Sequence, residues 1–383
     1  MEAGIFEDTL APSDQYKRMF YPTPTKVARV EAKILGITAK KDDVRIPGAF
    51  ADWPPDDNQP AWSDVTYLKL YEHHDFNYIA YNTIRFYDKK LSKKENKNLP
   101  LWDYIISIVP HYQKEFNIDG VMIDMGHALP NELLSNIISK ARENNPKFIF
   151  WEENFSLSEV SLQNGYDAVL GYLCFDTHTA GKIYNLLQRI SSDDYIKLPA
   201  FFATSETHNM PRASSRFPNI KYNSFTYALN SLLPALSFIH NGFELCETDP
   251  VNTGLDFTIE QIEKYPSEKL PLFSTSSLHW KNDNIVDTIR QINNIKKDFD
   301  FLDETLTIVE TNNTNVIAFS RLTSIGTLLF VGSMLEQEID AEIFLLDFAN
   351  FQDILNNSKQ FELNNSKLEL KLNQFDFKIL KCD

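Results

Sequence analysis

The stretch Ile118-Asp119-Gly120-Val121-Met122-Ile123-Asp124-Met125-Gly126-His127 decides how the chain is interpreted. A short apolar run ends on a carboxylate, a small-residue turn and an imidazole. The turn leads through Pro130 into a segment with apolar side chains on one helical face: Leu133, Leu134, Ile137, Ile138 and Ala141. This order predicts strand, turn and helix. It places Asp124 at the carboxyl end of the strand, where α/β proteins carry their chemistry.

Length and composition limit the classes of protein that fit. The chain has 383 residues, enough for two domains or one large barrel. Its formal charge of −16 lacks the basic surface that a phosphate backbone requires, so we expect no nucleic-acid partner. Three cysteines (Cys174, Cys246, Cys382) show no metal-ligand or redox spacing, so we predict a reducing compartment. No metal site can be argued from the sequence, so we expect no cofactor.

The amino-terminal residues and the hydropathy pattern bear on localisation. The start, Met1 to Asp8, is acidic and has no apolar core of a signal peptide. No run of eighteen apolar residues occurs, so we expect no membrane span and no membrane partner. The expected location is the cytoplasm.

Residue patterns divide the chain into three predicted regions. Residues 1–100 are rich in proline and aspartate and are expected to form loops or an inserted subdomain, with strands at Asp64–Leu70 and Asn77–Tyr87. Residues 101–300 alternate apolar strand patterns with helical ones, which predicts βαβ units and a parallel sheet of about five strands. Residues 301–383 change to short strands separated by turn residues, which predicts an antiparallel β-sandwich.

Three polar clusters follow strands of the predicted α/β region: Asp124 with His127, then Glu152-Glu153-Asn154, then Glu206-Thr207-His208-Asn209. Successive parallel strands end side by side, so Asp124 and one of the two glutamates should be neighbours. Two carboxyl groups about 5–5.5 Å apart are the arrangement of a retaining glycosidase, with one nucleophile and one acid/base. Such carboxylates also cap the helices that follow, and the spacing leaves both interpretations open.

The same clusters resemble known motifs. The stretches 120–127, 150–155 and 206–213 are similar to the second, third and fourth conserved stretches of the α-amylase family (glycoside hydrolase family 13), in the family's order. The His three residues after Asp124, and the stretch 241–247, resemble the maltosyltransferase branch that uses maltose 1-phosphate. The resemblance covers about residues 100–300. It implies a TIM (β/α)8-type barrel, here with its first strands missing, followed by a C-terminal antiparallel β-sandwich.

The resemblance implies a role for several residues. Asp124 matches the nucleophile, and Glu153 matches the acid/base because it lies two residues before an aromatic residue. His208 matches the imidazole that hydrogen-bonds the sugar in the cleaved subsite, and His127 would lie on the acceptor side. Glu152 is the alternative acid, although strand alternation places it on the opposite side. Arg212, after Pro211, either binds substrate or simply precedes a helix.

Two positions depart from the family pattern. Met122 replaces the invariant Arg two residues before the nucleophile, and Asn209 replaces the third acid. Asn209 can still hydrogen-bond a sugar hydroxyl, but without charge assistance the bond is about half as strong. The family's first conserved stretch does not occur upstream of Asp124, so we expect a missing amino-terminal segment or a partner chain to complete the barrel.

The sequence therefore predicts a retaining glycoside hydrolase or transglycosylase of the α-amylase type, acting on α-glucosyl oligosaccharides or a glycosyl phosphate. Its expected partner is the oligosaccharide. Loops over a barrel mouth line subsites, so Trp53, Trp62 and Tyr67 are candidate sugar platforms. The alternative is a catalytically degenerate amylase-like module for carbohydrate binding or assembly. Met122 and Asn209 favour that alternative.

Overall fold

The computed structural model describes residues 70–71, 79–81, 84–86, 93–124, 126, 129–154, 157–170, 177–191, 198–208, 210–251, 253, 256–265, 283–302, 306–345, 350–356, 359–363 and 367–382. The sugar-platform candidates Trp53, Trp62 and Tyr67 lie outside these residues, as do His127 and Asn209. Most of the predicted strand Asp64–Leu70 also lies outside them. The chain divides into two compact units: residues 1–153, 160–168 and 251–276 form the first, and residues 154–159, 169–250 and 277–383 form the second.

Helices and strands follow one another along the chain. The α/β part contains β1 Ile79–Tyr81, β2 Ile84–Phe86, α1 Leu99–Phe116, β3 Gly120–Ile123, α2 Asn131–Asn144, β4 Ile149–Glu152, α3 Glu159–Gln163, β5 Ala168–Val169, α4 Ala180–Ile190, β6 Ala200–Ala203, α5 Ala213–Arg216, α6 Ile220–Leu232, β7 Leu236–Ser237, α7 Ile259–Lys264 and α8 Val286–Asp298. The β part contains β8 Thr307–Ile308, β9 Val316–Thr323, β10 Gly326–Ser333, β11 Ile339–Phe344, β12 Asn350–Asp353, β13 Lys359–Glu362, β14 Lys367–Leu372 and β15 Phe377–Cys382.

The alternation of strands and helices predicted for the middle of the chain is confirmed. Strands β3 and β4 pair in parallel in the first unit, and β6 and β7 pair in parallel in the second. Five strands of the α/β part follow α1 in the described residues, where a closed (β/α)8 barrel has eight. Within the part of the chain that the structure describes, the barrel-type sheet is therefore incomplete, as predicted. None of the described helices is both long and apolar enough to cross a membrane.

The first unit is built on two helices packed against β3 and β4. Helix α1 begins after Asn98, whose side-chain oxygen accepts a hydrogen bond from the Leu101 amide at 3.4 Å, and ends at Asn117 in the left-handed conformation. Helix α2 lies beside it, where the Gln113 amide side chain donates to the Ala141 carbonyl at 3.0 Å. The shared core contains Trp102, Val109, Leu133, Leu134, Ile137, Ile138, Ala141, Phe148, Phe150 and Tyr166. This core fixes where β3 and β4 end.

The second unit contains the antiparallel β part. Six strands form one sheet in the order β13-β12-β15-β10-β9-β8, and β11 and β14 form a second. On β9, Val316 and Ala318 belong to the core shared with the second sheet, whereas Ile317 and Phe319 belong to the core shared with helices such as α6. Both faces of the sheet are thus covered at its central strands β9 and β10, which explains the continuous apolar runs there. The predicted C-terminal β-sandwich is confirmed.

Candidate active site

The β3–β4 ladder brings the two proposed catalytic carboxyls to adjacent strand ends. Its last register pair joins Ile123 to Glu152. The next residue along each strand is Asp124 on one side and Glu153 on the other. Neighbouring strands lie about 4.8 Å apart. The register therefore sets Asp124 and Glu153 at the ends of neighbouring strands, where a retaining pair of carboxyls would have to meet.

The faces of the two strands separate Glu153 from Glu152. On β3, Val121 and Ile123 pack against the core that contains Phe150, so Met122 and Asp124 point to the opposite face. Residues that are paired in a parallel ladder point to the same face of the sheet. Phe148 and Phe150 face the helices, and because side chains alternate along β4, Glu152 faces them too. Glu153 therefore shares a face with Asp124, whereas Glu152 points towards the helices.

A buried tyrosine supports this assignment of faces. Tyr166 belongs to the helix-side core, where burial raises the pKa of its hydroxyl and the negative charge of Glu152 raises it further. Glu152 therefore lies close to Tyr166 on the helix side. Both glutamates are nearly inaccessible, with 7% of Glu152 and 8% of Glu153 exposed. Their orientation, and not their burial, distinguishes them.

The Asp124 face is open and apolar beside the acid. Asp124 itself is exposed, and Met122 is 44% exposed where the family pattern has an Arg. On the neighbouring strand, Ile149 is 39% exposed. The carboxylate of Asp124 thus lies next to a thioether side chain. The described residues place no cation at this position on β3.

Two features hold the strand ends in place. The Asp167 carboxylate accepts hydrogen bonds from the Phe150 amide and from Arg142 Nη2, both at 2.8 Å, which ties β4 to the turn before β5. Beyond Asp124, a Cβ added at Gly126 would collide with the Tyr166 hydroxyl. This close approach requires glycine at the turn that follows the acid. Sequence reasoning assigned no role to Tyr166 or Asp167, since only the packing brings them to β4.

The second unit presents His208 on a loop after β6. His208 is exposed, whereas Glu206 and Thr207 before it and Met210 after it are buried. The Met210 amide donates to the Thr207 carbonyl at 3.3 Å, which closes the loop around His208. An exposed imidazole on a buried loop can meet a ligand from solvent.

Arg212 has its described partners inside the protein, and its substrate-binding role stays a prediction. It immediately precedes α5, and its side chain is fully buried. Its Nη1 donates to Glu206 Oε1 at 2.6 Å and to the Asn241 carbonyl at 2.8 Å, and its Nε donates to the Asp249 carbonyl at 3.0 Å. Because these acceptors belong to the protein, the geometry supports the interpretation that Arg212 has a structural role at the start of a helix.

A histidine completes this buried group. His240 Nδ1 lies 3.1 Å from Glu206 Oε1 and 2.7 Å from Arg212 Nη1. Burial alone would raise the pKa of the Glu206 carboxyl, but the hydrogen bond from His240 and the charge of Arg212 outweigh burial and hold that pKa below its usual value. Glu206 is therefore a buried carboxylate. No group of three potential metal ligands converges among the described residues.

Comparison with known proteins gives one related sequence and many related folds. No family model matches the chain. The α-1,4-glucan:maltose-1-phosphate maltosyltransferase of Picrophilus torridus is 25% identical over 293 residues, which cover 72% of this chain and 44% of the relative. The chain resembles the α-amylase family. It spans less than half the length of that curated relative.

Solved structures show the fold. The α-amylase of Geobacillus thermoleovorans complexed with acarbose superimposes with a TM-score of 0.58 at 13% identity, over 79% of this chain and 66% of that one. A maltogenic α-amylase of Thermotoga neapolitana gives 0.57 at 15% identity, over 78% and 68%. The α-amylase of H. orenii gives 0.57 at 12% identity, over 82% and 74%. The α-amylase-like fold predicted from the sequence is thus confirmed.

Proposed function

We propose that this chain is an α-amylase-like retaining glycoside hydrolase or transglycosylase that acts on α-glucosyl oligosaccharides or on a glycosyl phosphate. The register of β3 and β4 supports the proposal, because its last pair joins Ile123 to Glu152, and Asp124 and Glu153 are the next residue after each. The two carboxyls have different surroundings, since Asp124 is exposed and Glu153 is buried. Different surroundings suit a nucleophile and an acid/base, which must differ in protonation.

The proposed reaction has two displacements. In the first, Asp124 attacks the anomeric carbon, the glycosidic C–O bond breaks, and Glu153 gives its proton to the leaving oxygen. In the second, Glu153 takes a proton from the incoming hydroxyl, whose oxygen displaces Asp124 from the sugar. Water as the incoming group gives hydrolysis, and a sugar hydroxyl gives transfer. On the basis of the sequence pattern, His208 is the candidate that hydrogen-bonds the sugar, and His127 and Asn209 remain candidates on the same basis.

Covalent labelling tests the nucleophile. The chain is incubated with an activated fluoro-sugar of the α-gluco series, digested and analysed by mass spectrometry. We expect one added fluoroglycosyl group, on the peptide that carries Asp124, and none in Asp124→Asn. Turnover of a maltooligosaccharide without labelling of Asp124 would refute the assignment. Product analysis with and without added maltose separates hydrolysis from transfer.

A second candidate function is carbohydrate binding or assembly without catalysis. The exposed Met122 beside Asp124 favours it, because the family's cation is missing at the nucleophile. This candidate predicts that the chain binds maltooligosaccharides in calorimetry with no measurable sugar release. It also predicts that Asp124→Asn and Glu153→Gln change affinity by less than about threefold. Sugar release that is lost in Glu153→Gln and retained in Glu152→Gln would exclude it.

We also propose that a βα segment, from a longer form of the chain or from a partner chain, covers the open face of β3. Met122 and Ile149 are exposed on that face, and Tyr104 and Phe116 are exposed on α1. In a closed barrel these positions would be packed. The double variant Met122→Ser with Ile149→Ser tests the proposal in protein purified from its natural source. Loss of a co-purifying partner chain supports a segment from a partner, and a lower free energy of unfolding supports a segment of the same chain. Unchanged composition together with unchanged stability would refute the proposal.

A further inference from the structure

The described residues of the loop after β6 place the exposed His208 between two buried stretches. Residues 204–207 and 210–214 are buried, whereas His208 is exposed. Anchoring of the loop's buried described residues holds the exposed side chain in place. The anchor is formed by the fully buried Glu206 and Arg212 and the partly buried His240, called the Glu206 cluster below.

The Glu206 cluster joins two loops. Glu206 Oε2 accepts from the Ala213 amide at 2.7 Å, and Oε1 accepts from Arg212 Nη1 at 2.6 Å, so the carboxylate fixes both ends of the loop that carries His208. Arg212 then donates to the Asn241 carbonyl, which follows β7. The loops after two neighbouring parallel strands are thereby held together. His240 comes from the second of these loops and contacts both charges.

The chemistry of position 206 requires a carboxylate. Both Glu206 oxygens face N–H donors, one from Ala213 and one from Arg212. A glutamine there would turn its NH₂ group towards one of these donors, so one hydrogen bond would be replaced by a donor–donor contact. The Arg212 charge would also lose its partner in a fully buried place, which is costly.

We propose that the Glu206 cluster is a positioning device, which orients His208 for contact with the bound sugar and does not itself touch the substrate. This inference rests on the proposed function in that His208 is taken as the sugar-binding imidazole. Misplacing a contact by about 1 Å can lower a rate by about 10²-fold. We therefore expect Glu206→Gln to lower kcat/KM about 10- to 100-fold.

A double-mutant cycle with His208→Ala separates positioning from a general structural role. If Glu206 acts through His208, Glu206→Gln lowers kcat/KM in the native background and has no further effect in His208→Ala. Equal fold losses in both backgrounds would overturn the proposal. The matched control is Glu247→Gln. Glu247 is also fully buried, but only its Oε1 accepts hydrogen bonds, from the Thr248 and Asp249 amides, so a glutamine can keep both.

A readout without turnover keeps the test independent of the proposed activity. We expect the His208 ring to give one set of NMR signals in the native chain and shifted or multiple signals in Glu206→Gln, with faster exchange of the Ala213 amide. Unchanged ring signals and unchanged exchange would overturn the proposal even in a chain that turns over sugar. Altered signals in a chain without turnover would support positioning and refute only the enzymatic function. If Glu206→Gln does not fold, His240→Ala, which keeps the Glu206–Arg212 contact, should give a smaller change of the same kind.

Discussion

Replacing Glu153 and Glu152 in turn by glutamine gives a matched test of the candidate active site. The two residues are adjacent and equally buried, at 8% and 7% exposure, but they face opposite sides of β4. Each substitution changes one oxygen to an NH₂ group at nearly constant volume. The cost to the free energy of unfolding should therefore be similar, about 1–3 kcal/mol for each. Only Glu153 shares a face with Asp124.

The expected effects on activity differ widely. Loss of a general acid/base lowers a rate about 10²- to 10⁴-fold. At about 1.4 kcal/mol for each factor of ten, this is about 3–5 kcal/mol of transition-state stabilisation. Glu153→Gln should show this loss in kcat/KM on maltooligosaccharides. Glu152→Gln, directed at the Tyr166 side, should lose less than tenfold.

The assay compares two substrates and includes a stability control. Urea unfolding of both variants checks that their stabilities match. Activity is measured on a maltooligosaccharide and on an α-glucoside with an activated aryl leaving group, which needs little protonation. We expect the deficit of Glu153→Gln to shrink by at least tenfold on the activated substrate. A larger loss in Glu152→Gln than in Glu153→Gln, at matched stability, would refute the assignment of faces on β4.

Three further changes test the turn after β3, which contains Gly126, and the loop after β6, which contains Glu206. Tyr166→Phe removes a buried hydroxyl without a hydrogen-bond partner among the described residues, so the free energy of unfolding should stay unchanged or rise by up to about 1 kcal/mol in urea. Gly126→Ala sets a methyl group against that hydroxyl and should cost about 1–3 kcal/mol, and adding Tyr166→Phe should recover most of it. Because the pKa of Glu206 is lowered in the folded protein, its stabilising contribution is complete above about pH 4.5, the usual value, and is lost as the pH falls through the lower folded value. Thermal unfolding from pH 7 to pH 3 should show a smaller decline in Glu206→Gln.

Each of these three predictions has an outcome that would contradict it. If Tyr166→Phe lowers the free energy of unfolding by more than about 1 kcal/mol, the hydroxyl makes a stabilising hydrogen bond. Equal cost of Gly126→Ala with and without Tyr166→Phe would show that the two side chains do not meet. An identical acid profile for the native chain and Glu206→Gln would contradict a carboxylate that is stabilised as an anion.

Local patterns predicted much of the α/β part because they depend on near neighbours in the sequence. The apolar face from Leu133 to Ala141 predicted a helix after Pro130, and α2 spans Asn131–Asn144. Helix α8 was not predicted, although Ile285, Ile289, Ile292 and Ile295 recur at the three- and four-residue spacing of one helical face. Some strands of the β part have no sequence pattern from which they could be predicted. Strands β12 and β13 were missed, since each has one large apolar side chain, Phe351 or Phe361, and no alternation.

The candidate site was predicted as a set of residue types and only in part as an arrangement. The family pattern and strand alternation separated Glu153 from Glu152, and the register of β3 and β4 agrees with the alternation. The burial of Arg212 could not be predicted, because its partner His240 lies 28 residues away on another loop. The catalytic roles, and the domain boundaries near residues 100 and 300, stay predictions.

The central strands of the six-stranded sheet pack against the second sheet on one face and against helices on the other. This limits how the β part can be transferred to another protein. A β-sandwich with one solvent-exposed face can be fused to another domain through its chain termini alone. Here Ile317, Phe319 and Phe330 point away from the second sheet into the helical core, and a Cβ on Gly332 would collide with Phe225 of α6. Residues 306–382 grafted onto another protein would carry an unpaired apolar face and aggregate. The helices and the sheet must therefore be inherited, and engineered, as one piece.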